Sequence, residues 1–269
     1  MGYSKGSLAL VRATCLYVAT KLGDLMDELV VVGGLVPSLL IDQKNKDREA
    51  EFHAGTLDLD LGISLTILGE GRYRALTNRL RKAGFSPDTN EAGNPTLQRW
   101  IFRDVTVDFL IQPTLQSDRG GRLRYIEPDF AALIAPGLHL AFQDRQPVIL
   151  SGKTILGEKA KRRILVCGPG AFIILKALAF DLRGENKDAY DLFYMVRNYG
   201  SNLDDVASRL KPLLGDKSAK NAIGILKRDF LDHDGLGPRR VAEFMAGGPD
   251  EALQADVVGF IEELLNLLP

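Results

Sequence analysis

Residues 57–65 read LDLDLGISL, a run in which leucine and aspartate alternate before glycine and isoleucine follow. Successive side chains of a β-strand point to opposite faces, so the alternation predicts a strand with one apolar face and one acidic face. Asp58 and Asp60 share the acidic face, roughly 7 Å apart at about 3.3 Å per residue. Two such carboxylates can converge on one hard cation, and without a cation their repulsion should raise one of the two pKa values. The alternative is a solvated outer face of an antiparallel strand.

A second apolar segment, VTVDFLI at residues 105–111, contains a single acidic residue, Asp108. A carboxylate between Val107 and Phe109 is costly to bury unless it is paired or bound to a metal. If this strand lies beside residues 57–65, Asp108 completes a cluster of three carboxylates, which is a donor set that suits Mg²⁺. At an edge of the sheet, by contrast, Asp108 would simply meet solvent or an arginine.

Residues 30–40, VVVGGLVPSLL, combine a short apolar run, the pair Gly33 and Gly34, and the start of a helix. A turn of this kind lets backbone N–H groups approach a phosphate closely, assisted by the N-terminus of the helix. A glycine pair is also common in turns that bind nothing, so this segment gains weight only together with the acidic strands.

The order of these three segments is strand–Gly–Gly–helix, then hDhDh, then hDh, where h is an apolar residue. This order resembles the nucleotidyltransferase superfamily, which includes DNA polymerase beta and the aminoglycoside nucleotidyltransferases. The resemblance implies that Asp58, Asp60 and Asp108 bind the Mg²⁺ ions that hold a nucleoside triphosphate and activate the attacking hydroxyl. It also implies that Gly33 and Gly34 form the phosphate turn. The chemistry is an in-line displacement assisted by two metal ions.

The chain departs from the family pattern in two places. Residues 42–54, a polar segment predicted to be a loop, lengthen the connection between Gly34 and Asp58. Gly34 also stands where the family commonly has a serine, which leaves Ser38 as the nearest hydroxyl for a phosphate. Both departures concern the phosphate turn and leave the three acidic positions intact.

Residues 174–196, ILKALAFDLRGENKDAYDLFYMV, resemble the K…R…KDxxDLxxL segment of the AbiEii-type nucleotidyltransferase toxins, a group that includes the MenT toxins. The resemblance implies that Lys176 and a downstream aspartate, Asp188 or Asp191, take part in handling the nucleotide. The alternative from the residues alone is structural. Lys176 would extend from a core helix with its aliphatic stem buried, and the aspartates would cap a helix or pair with nearby basic residues.

The pattern of the chain changes after residues 168–170, Gly-Pro-Gly. The strands predicted before this point are 29–32, 57–65, 96–103, 105–111, 138–142, 148–150 and 164–166, and the helices are 7–28, 35–41 and 70–83. Beyond this point the apolar periodicity predicts five or six amphipathic helices and no strand. The fold class expected is therefore α/β (α+β), with a nucleotidyltransferase-like mixed-sheet domain (1–167) followed by an all-helical C-terminal domain (168–269).

Composition narrows the class of protein. The 269 residues are 45% apolar and 26% charged, as in an average globular protein. With 34 basic and 35 acidic residues the net charge is −1, which excludes a uniformly basic nucleic-acid-binding surface. Cys15 and Cys167 have no CxxC spacing and are expected to be buried free thiols. No stretch is long and apolar enough for a membrane span, and the N-terminus makes a poor signal peptide, so a cytoplasmic location is expected.

We therefore expect a Mg²⁺-dependent nucleotidyltransferase that moves an NMP from an NTP to an acceptor hydroxyl and releases pyrophosphate. The family resemblance favours RNA, especially the 3′ end of tRNA, as the acceptor, and implies a toxin with a cognate antitoxin protein as its partner. A protein or aminoglycoside hydroxyl is an alternative acceptor. Two other interpretations stay open: a nucleotide- or antitoxin-binding module without turnover, and an unrelated α/β protein in which the pattern is accidental.

Overall fold

The computed structural model describes residues 5–42, 52–64, 71–90 and 92–269. The chain divides into two compact units, Met1–Cys167 and Gly168–Pro269. Leu65, predicted to end a strand, and most of the polar segment 42–54 lie outside the described residues. Within the described ranges, no helix has the length and apolar character needed to cross a membrane.

The first unit combines a mixed β-sheet with helices. The strands are β1 (Leu29–Val32), β2 (Asp58–Ile63), β3 (Ser86–Thr89), β4 (Pro95–Phe102), β5 (Val105–Ile111), β6 (Leu123–Glu127), β7 (Phe130–Ile134), β8 (Arg145–Lys153) and β9 (Lys159–Cys167). The α-helices are α1 (Lys5–Leu22), α2 (Val36–Leu40), α3 (Arg72–Lys82) and α4 (Leu138–Gln143), and 3₁₀ helices cover Gly23–Glu28 and Gly33–Leu35. The predicted mixed α/β class is therefore confirmed.

The strand order brings the two acidic strands together. The main path of the sheet runs β3-β4-β5-β2-β1-β9-β8, with β7 also paired to β5 and β6 paired to β7. Strand β2 is antiparallel to β1 and parallel to β5. It therefore lies between the strand that leads into the glycine pair and the strand that carries Asp108.

One face of this sheet contributes to the core of the first unit. Leu59 and Leu61 of β2 are fully buried, as are Trp100 of β4 and Phe109 of β5. The rings of Phe109 and Trp100 lie 5.2 Å and 6.5 Å from the ring of Phe130 on β7. Because side chains alternate along each strand, the aspartates of β2 and β5 project from the opposite face.

The segment 138–142 is helical, so its prediction as a strand is wrong. It forms most of α4, and the preceding Gly137 adopts a left-handed conformation with a φ of 80°. Such a conformation suits glycine at a tight turn. A short apolar run fits either a strand or a buried helix, and here Leu138 and Leu140 are both buried from within a helix.

Several strands extend beyond the predicted ones or were not predicted. Strands β3, β6 and β7 were missed, and β3, with the sequence SPDT, has no apolar alternation. Strands β8 and β9 extend past the predicted 148–150 and 164–166, because the backbone hydrogen bonds of their long hairpin do not require apolar side chains. Helix α1 ends at Leu22, whereas the prediction extended it to residue 28. The helix stops there because the next residue, Gly23, adopts a φ of 59°.

In residues 168–269 all regular secondary structure is helical. The helices are α5 (Pro169–Arg183), α6 (Asn186–Asn198), α7 (Leu203–Leu210), α8 (Lys217–Asp229), α9 (Leu236–Ala246) and α10 (Glu251–Asn266), with a 3₁₀ turn at Lys211–Leu213. Gly184, left-handed with a φ of 66°, ends α5. Helix α6 then begins at Asn186 and packs against α5, which places the charged residues of the two helices near each other.

Both cysteines behave as the sequence predicts. Cys15 on α1 and Cys167 at the end of β9 are buried free thiols. Burial raises the pKa of Cys15 to about 12, so this thiol stays protonated and unreactive near neutral pH.

Candidate functional site

Three carboxylates converge on the face of the sheet opposite the aromatic core. Asp60 of β2 lies directly opposite Asp108 of β5 in their parallel pairing, and Asp58 precedes Asp60 on the same face. One oxygen atom from each of the three side chains lies within 4.8 Å of the others. All three residues are partly exposed. The predicted metal ligands are therefore brought together, and oxygen donors of this kind are those that Mg²⁺ prefers.

Asp58 is oriented by a neighbouring hydroxyl. Thr56 is buried, and its Oγ1 donates a hydrogen bond to Asp58 Oδ1 at 2.7 Å. A carboxylate accepts several hydrogen bonds or metal contacts through its two oxygens. The contact therefore holds Asp58 in place and leaves it able to bind a cation.

Arg99 pairs with Asp108, and it was not among the residues that the sequence singled out. The two residues face each other across the antiparallel strands β4 and β5. Nε of Arg99 donates to Asp108 Oδ1 at 2.7 Å, and Nη2 donates to Oδ2 at 2.5 Å. Pairing with an arginine was the alternative stated for Asp108. The sequence TLQRWIFR held a signal for Arg99. Trp100 is buried in the core, so the preceding residue, Arg99, must point to the opposite face of the strand.

The electrostatics of this cluster depend on both burial and charge. Burial raises the pKa of Asp108; the ion pair with Arg99 opposes this rise, and the nearby carboxylate of Asp58 adds to it. The hydrogen bonds to Asp108 raise the pKa of Arg99, although burial alone would lower it. The charges of Asp58 and Asp60 also raise the pKa of Arg99. Each carboxylate in this region therefore favours a neighbouring positive charge.

Gly33 lies against the acidic cluster. Its φ of 67° is in the left-handed region, which disfavours residues that carry a Cβ. A Cβ added at Gly33 would lie 1.8 Å from Asp60 Oδ2, so no side chain fits between the turn and this carboxylate. The next glycine, Gly34, is buried. The turn that the resemblance assigns to phosphate binding therefore packs directly on a predicted metal ligand.

Ser38, the nearest hydroxyl to the glycine pair in sequence, is engaged within the protein. It is buried in α2, and its Oγ donates to the carbonyl oxygen of Leu35 at 2.8 Å. Arg12 Nη1 in turn donates to the carbonyl oxygen of Ser38 at 3.0 Å. Since a serine hydroxyl has one proton to donate, this conformation does not present Ser38 as a phosphate donor.

In the second unit, Lys176 of α5 contacts two aspartates of α6. Its Nζ lies 2.9 Å from Asp188 Oδ1 and 2.7 Å from Asp191 Oδ2. Arg183 donates from Nε to Asp188 Oδ2 at 2.6 Å and from Nη2 to Oδ1 at 2.8 Å. Lys187 pairs with Asp191 one turn along α6. The three residues predicted to handle the nucleotide therefore lie together in a network of ion pairs.

The centre of this network is buried, and its charges compensate one another. The side chain of Lys176 is 10% exposed, and those of Asp188 and Asp191 are 0% exposed. Burial alone would raise the pKa of Asp188, but Lys176 and Arg183 lower it below its usual range. Burial alone would also lower the pKa of Lys176, but Asp191 and Asp188 raise it. Lys176 and Asp188 therefore both stay charged near neutral pH. The aspartates pair with Arg183 and Lys187, as the structural alternative for these residues predicts.

Comparisons of the chain with family models, with curated proteins and with solved structures find no match. The resemblance to nucleotidyltransferases therefore rests on the motif residues themselves. In the first unit these are the three aspartates and the glycine pair, and in the second unit they are Lys176 and the aspartates of α6.

Proposed function

We propose that the chain is a Mg²⁺-dependent nucleotidyltransferase that moves an NMP from an NTP to an acceptor hydroxyl. The observation that carries this proposal is the convergence of Asp58, Asp60 and Asp108, beside the backbone of Gly33. Burying part of one carboxylate costs free energy, and placing three together costs more because they repel one another. Such a cluster is expected where a multivalent cation compensates the charge.

The residues of the cluster fit a hard divalent cation. Asp58, Asp60 and Asp108 each offer a carboxylate oxygen, and all three are partly exposed, so water and phosphate oxygens have access to the remaining coordination positions of Mg²⁺. A bound Mg²⁺ would lower the pKa of the attacking hydroxyl and neutralise charge on the phosphoryl group. Thr56 would keep one oxygen of Asp58 oriented during this process.

The proposed reaction is an in-line displacement at the α-phosphorus of the NTP. The acceptor oxygen forms a bond to that phosphorus while the bond from phosphorus to the bridging oxygen breaks. Pyrophosphate leaves with the bonding electron pair, and the proton of the acceptor hydroxyl passes to a carboxylate of the cluster. We assign this role to Asp108, the third acidic residue of the pattern, which the family resemblance links to activation of the attacking hydroxyl.

The family resemblance extends the proposal to the acceptor and to partners. It favours RNA, especially the 3′ end of tRNA, and a toxin that is held in check by a cognate antitoxin protein. A hydroxyl of a protein or of an aminoglycoside is the alternative acceptor. The resemblance also assigns nucleotide handling to Lys176 and to Asp188 or Asp191, and that role stays a prediction.

One observation favours a second candidate function, a nucleotide-binding module without turnover. Arg99 contacts both oxygens of Asp108. A positive charge at the third carboxylate opposes the binding of a metal ion there. A module of this type would bind a nucleotide through basic side chains and would not transfer an NMP.

Transfer of label distinguishes the two functions. The protein is incubated with Mg²⁺ and each α-labelled NTP in turn, with total tRNA, total protein or aminoglycosides as acceptors. We expect label in one class of acceptor, and Asp58→Asn should reduce the transfer at least about 100-fold, because metal ligation contributes several kcal/mol to the transition state. Asp104→Asn is the matched control, since Asp104 is exposed in the turn between β4 and β5.

Three outcomes bear on the proposal. Transfer that survives Asp58→Asn would overturn the assignment of the metal site. Tight NTP binding without transfer to any acceptor would favour the binding module. A chelator of divalent cations should stop the transfer in the unmodified protein, and added Mg²⁺ should restore it.

A further inference from the structure

We propose that Arg99 is an exchange residue of the metal site. It pairs with Asp108 until a divalent cation takes over this carboxylate, and it then binds the phosphate groups of the nucleotide. This role rests on the proposed function, because the exchange requires the carboxylate cluster to bind a divalent cation. Arg99 would therefore weaken the binding of the cation and strengthen the binding of the phosphates.

Strand register keeps Arg99 at the cluster. Arg99 lies directly opposite Asp108 in the antiparallel pairing of β4 with β5. Asp60 lies directly opposite Asp108 in the parallel pairing of β5 with β2. Because paired residues on neighbouring strands project from the same face, the guanidinium and the carboxylates share one side of the sheet. The backbone ladder therefore holds Arg99 beside the site even when its side chain changes partner.

A divalent cation and Arg99 compete for Asp108. The guanidinium uses both carboxylate oxygens, at 2.7 Å and 2.5 Å. The same carboxylate is needed for the set of three oxygens that lie within 4.8 Å of one another. A cation bound to this set repels the neighbouring guanidinium. Because the side chain of Arg99 is 40% exposed, water can replace the contacts that the guanidinium loses when the pair opens.

The displaced guanidinium has an anionic group to bind. A triphosphate held by the cation brings phosphate oxygens to the same face of the sheet. The planar fork of an arginine matches the geometry of phosphate and forms two parallel hydrogen bonds with it, which a lysine cannot do. Exchange from Asp108 to phosphate would therefore make the binding of cation and nucleotide mutually supportive.

Binding measurements on the full chain test this exchange without depending on turnover. The affinity for Mn²⁺ is measured from the EPR signal of free Mn²⁺, and that for inorganic tripolyphosphate by calorimetry at saturating Mn²⁺. In Arg99→Gln we expect Mn²⁺ to bind at least about tenfold tighter, because a repelling charge is removed. Tripolyphosphate should bind at least about tenfold more weakly, because a charged donor is lost. Arg99→Lys should shift both affinities in the same directions by less.

Arg124→Gln is the matched control. Arg124 pairs with Asp118 in the same unit, and its replacement should leave both affinities unchanged. Unchanged affinity of Arg99→Gln for Mn²⁺ would overturn the exchange and leave the metal site intact. If the unmodified protein and Arg99→Gln both fail to bind Mn²⁺, the proposed function fails as well.

A purely structural role for Arg99 predicts a different result. Arg99→Gln would then weaken the binding of both Mn²⁺ and tripolyphosphate, and it would lower the urea midpoint reported by the fluorescence of Trp100. This result would also overturn the exchange. If Arg99→Gln does not fold, Arg99→Lys decides the question. Affinities for Mn²⁺ and tripolyphosphate equal to those of the unmodified protein would then reject the proposal.

Discussion

Asp108 in the first unit and Asp188 in the second each accept two hydrogen bonds from an arginine, Arg99 and Arg183 respectively. The pKa of Asp108 is nevertheless raised, and that of Asp188 is lowered. Burial alone would raise both. Asp188 has a second cation, Lys176, within hydrogen-bonding distance, whereas Asp108 lies beside two further carboxylates of β2.

The comparison shows that burial alone does not set the protonation of a carboxylate, because the neighbouring charges can outweigh it, as they do at Asp188. Asp188 is the more deeply buried of the two, with 0% of its side chain exposed against 14% for Asp108. Its surrounding cations compensate the loss of hydration. The carboxylates on the sheet repel one another, so an added cation would stabilise them. The first cluster is therefore suited to bind an ion, and the second to hold two helices together.

The largest effect on stability is expected from Lys176→Met. This change leaves Asp188 and Asp191 buried with less positive charge, and the loss of one partner of a buried ion pair costs about 3–5 kcal/mol. Far-UV circular dichroism in urea measures the free energy of unfolding. Lys220→Met, an exposed lysine on α8, is the control and should change stability by about 0.5 kcal/mol or less. Equal stabilities of the two variants would show that the ion pairs of Lys176 with Asp188 and Asp191 do not stabilise the fold.

A smaller effect is expected from Gly33→Ala in the first unit. The left-handed backbone costs about 1–2 kcal/mol with a side chain present, and the added Cβ would also displace the carboxylate of Asp60. We therefore expect a lower urea midpoint, followed by the fluorescence of Trp100, together with loss of Mn²⁺ binding.

Gly93→Ala provides the control for this prediction. Gly93 has a φ of 78°, and a Cβ added there would meet nothing within 4 Å. It should carry the backbone cost alone and leave Mn²⁺ binding unchanged. Retention of Mn²⁺ binding in Gly33→Ala would contradict the close packing of the glycine turn on the acidic cluster.

The smallest expected effect is a difference in pH dependence between the two aspartates. A lowered pKa, as at Asp188, adds stability above the unfolded value of about 4, and this stability is lost as the pH falls. A raised pKa, as at Asp108, adds stability below about 4, and this stability is lost as the pH rises through the raised value. Each group contributes a slope of at most about 1.4 kcal/mol per pH unit.

Urea midpoints between about pH 3 and about pH 7 check these signs. Asp188→Asn should reduce the loss of stability in acid, as followed by circular dichroism. Asp108→Asn should reduce the loss of stability as the pH rises above about 4, as followed by the fluorescence of Trp100. Slopes of the same sign for both aspartates would remove the contrast between the clusters.

The sequence predicted the positions of individual strands and helices better than it predicted which strands pair with each other. Alternation located β2, an apolar run located β5, and apolar periodicity predicted five or six helices in residues 168–269, where the structure has six α-helices. The prediction of a strand at 138–142 was wrong because a short apolar run has no clear periodicity. The role of Arg99 was not predicted because its partner lies on another strand, and a local sequence pattern does not indicate which strands pair.

Placement of Asp58 and Asp60 on one face follows from the sequence alone, because the side chains of a strand alternate with a period of two. Their proximity to Asp108 depends on β2 pairing with β5, and the contact between Gly33 and Asp60 depends on the path of the chain at the end of β1. Strand pairing and register are set by packing between residues that are distant in sequence. Tertiary structure was therefore required to bring the three carboxylates together and to place Arg99 beside them.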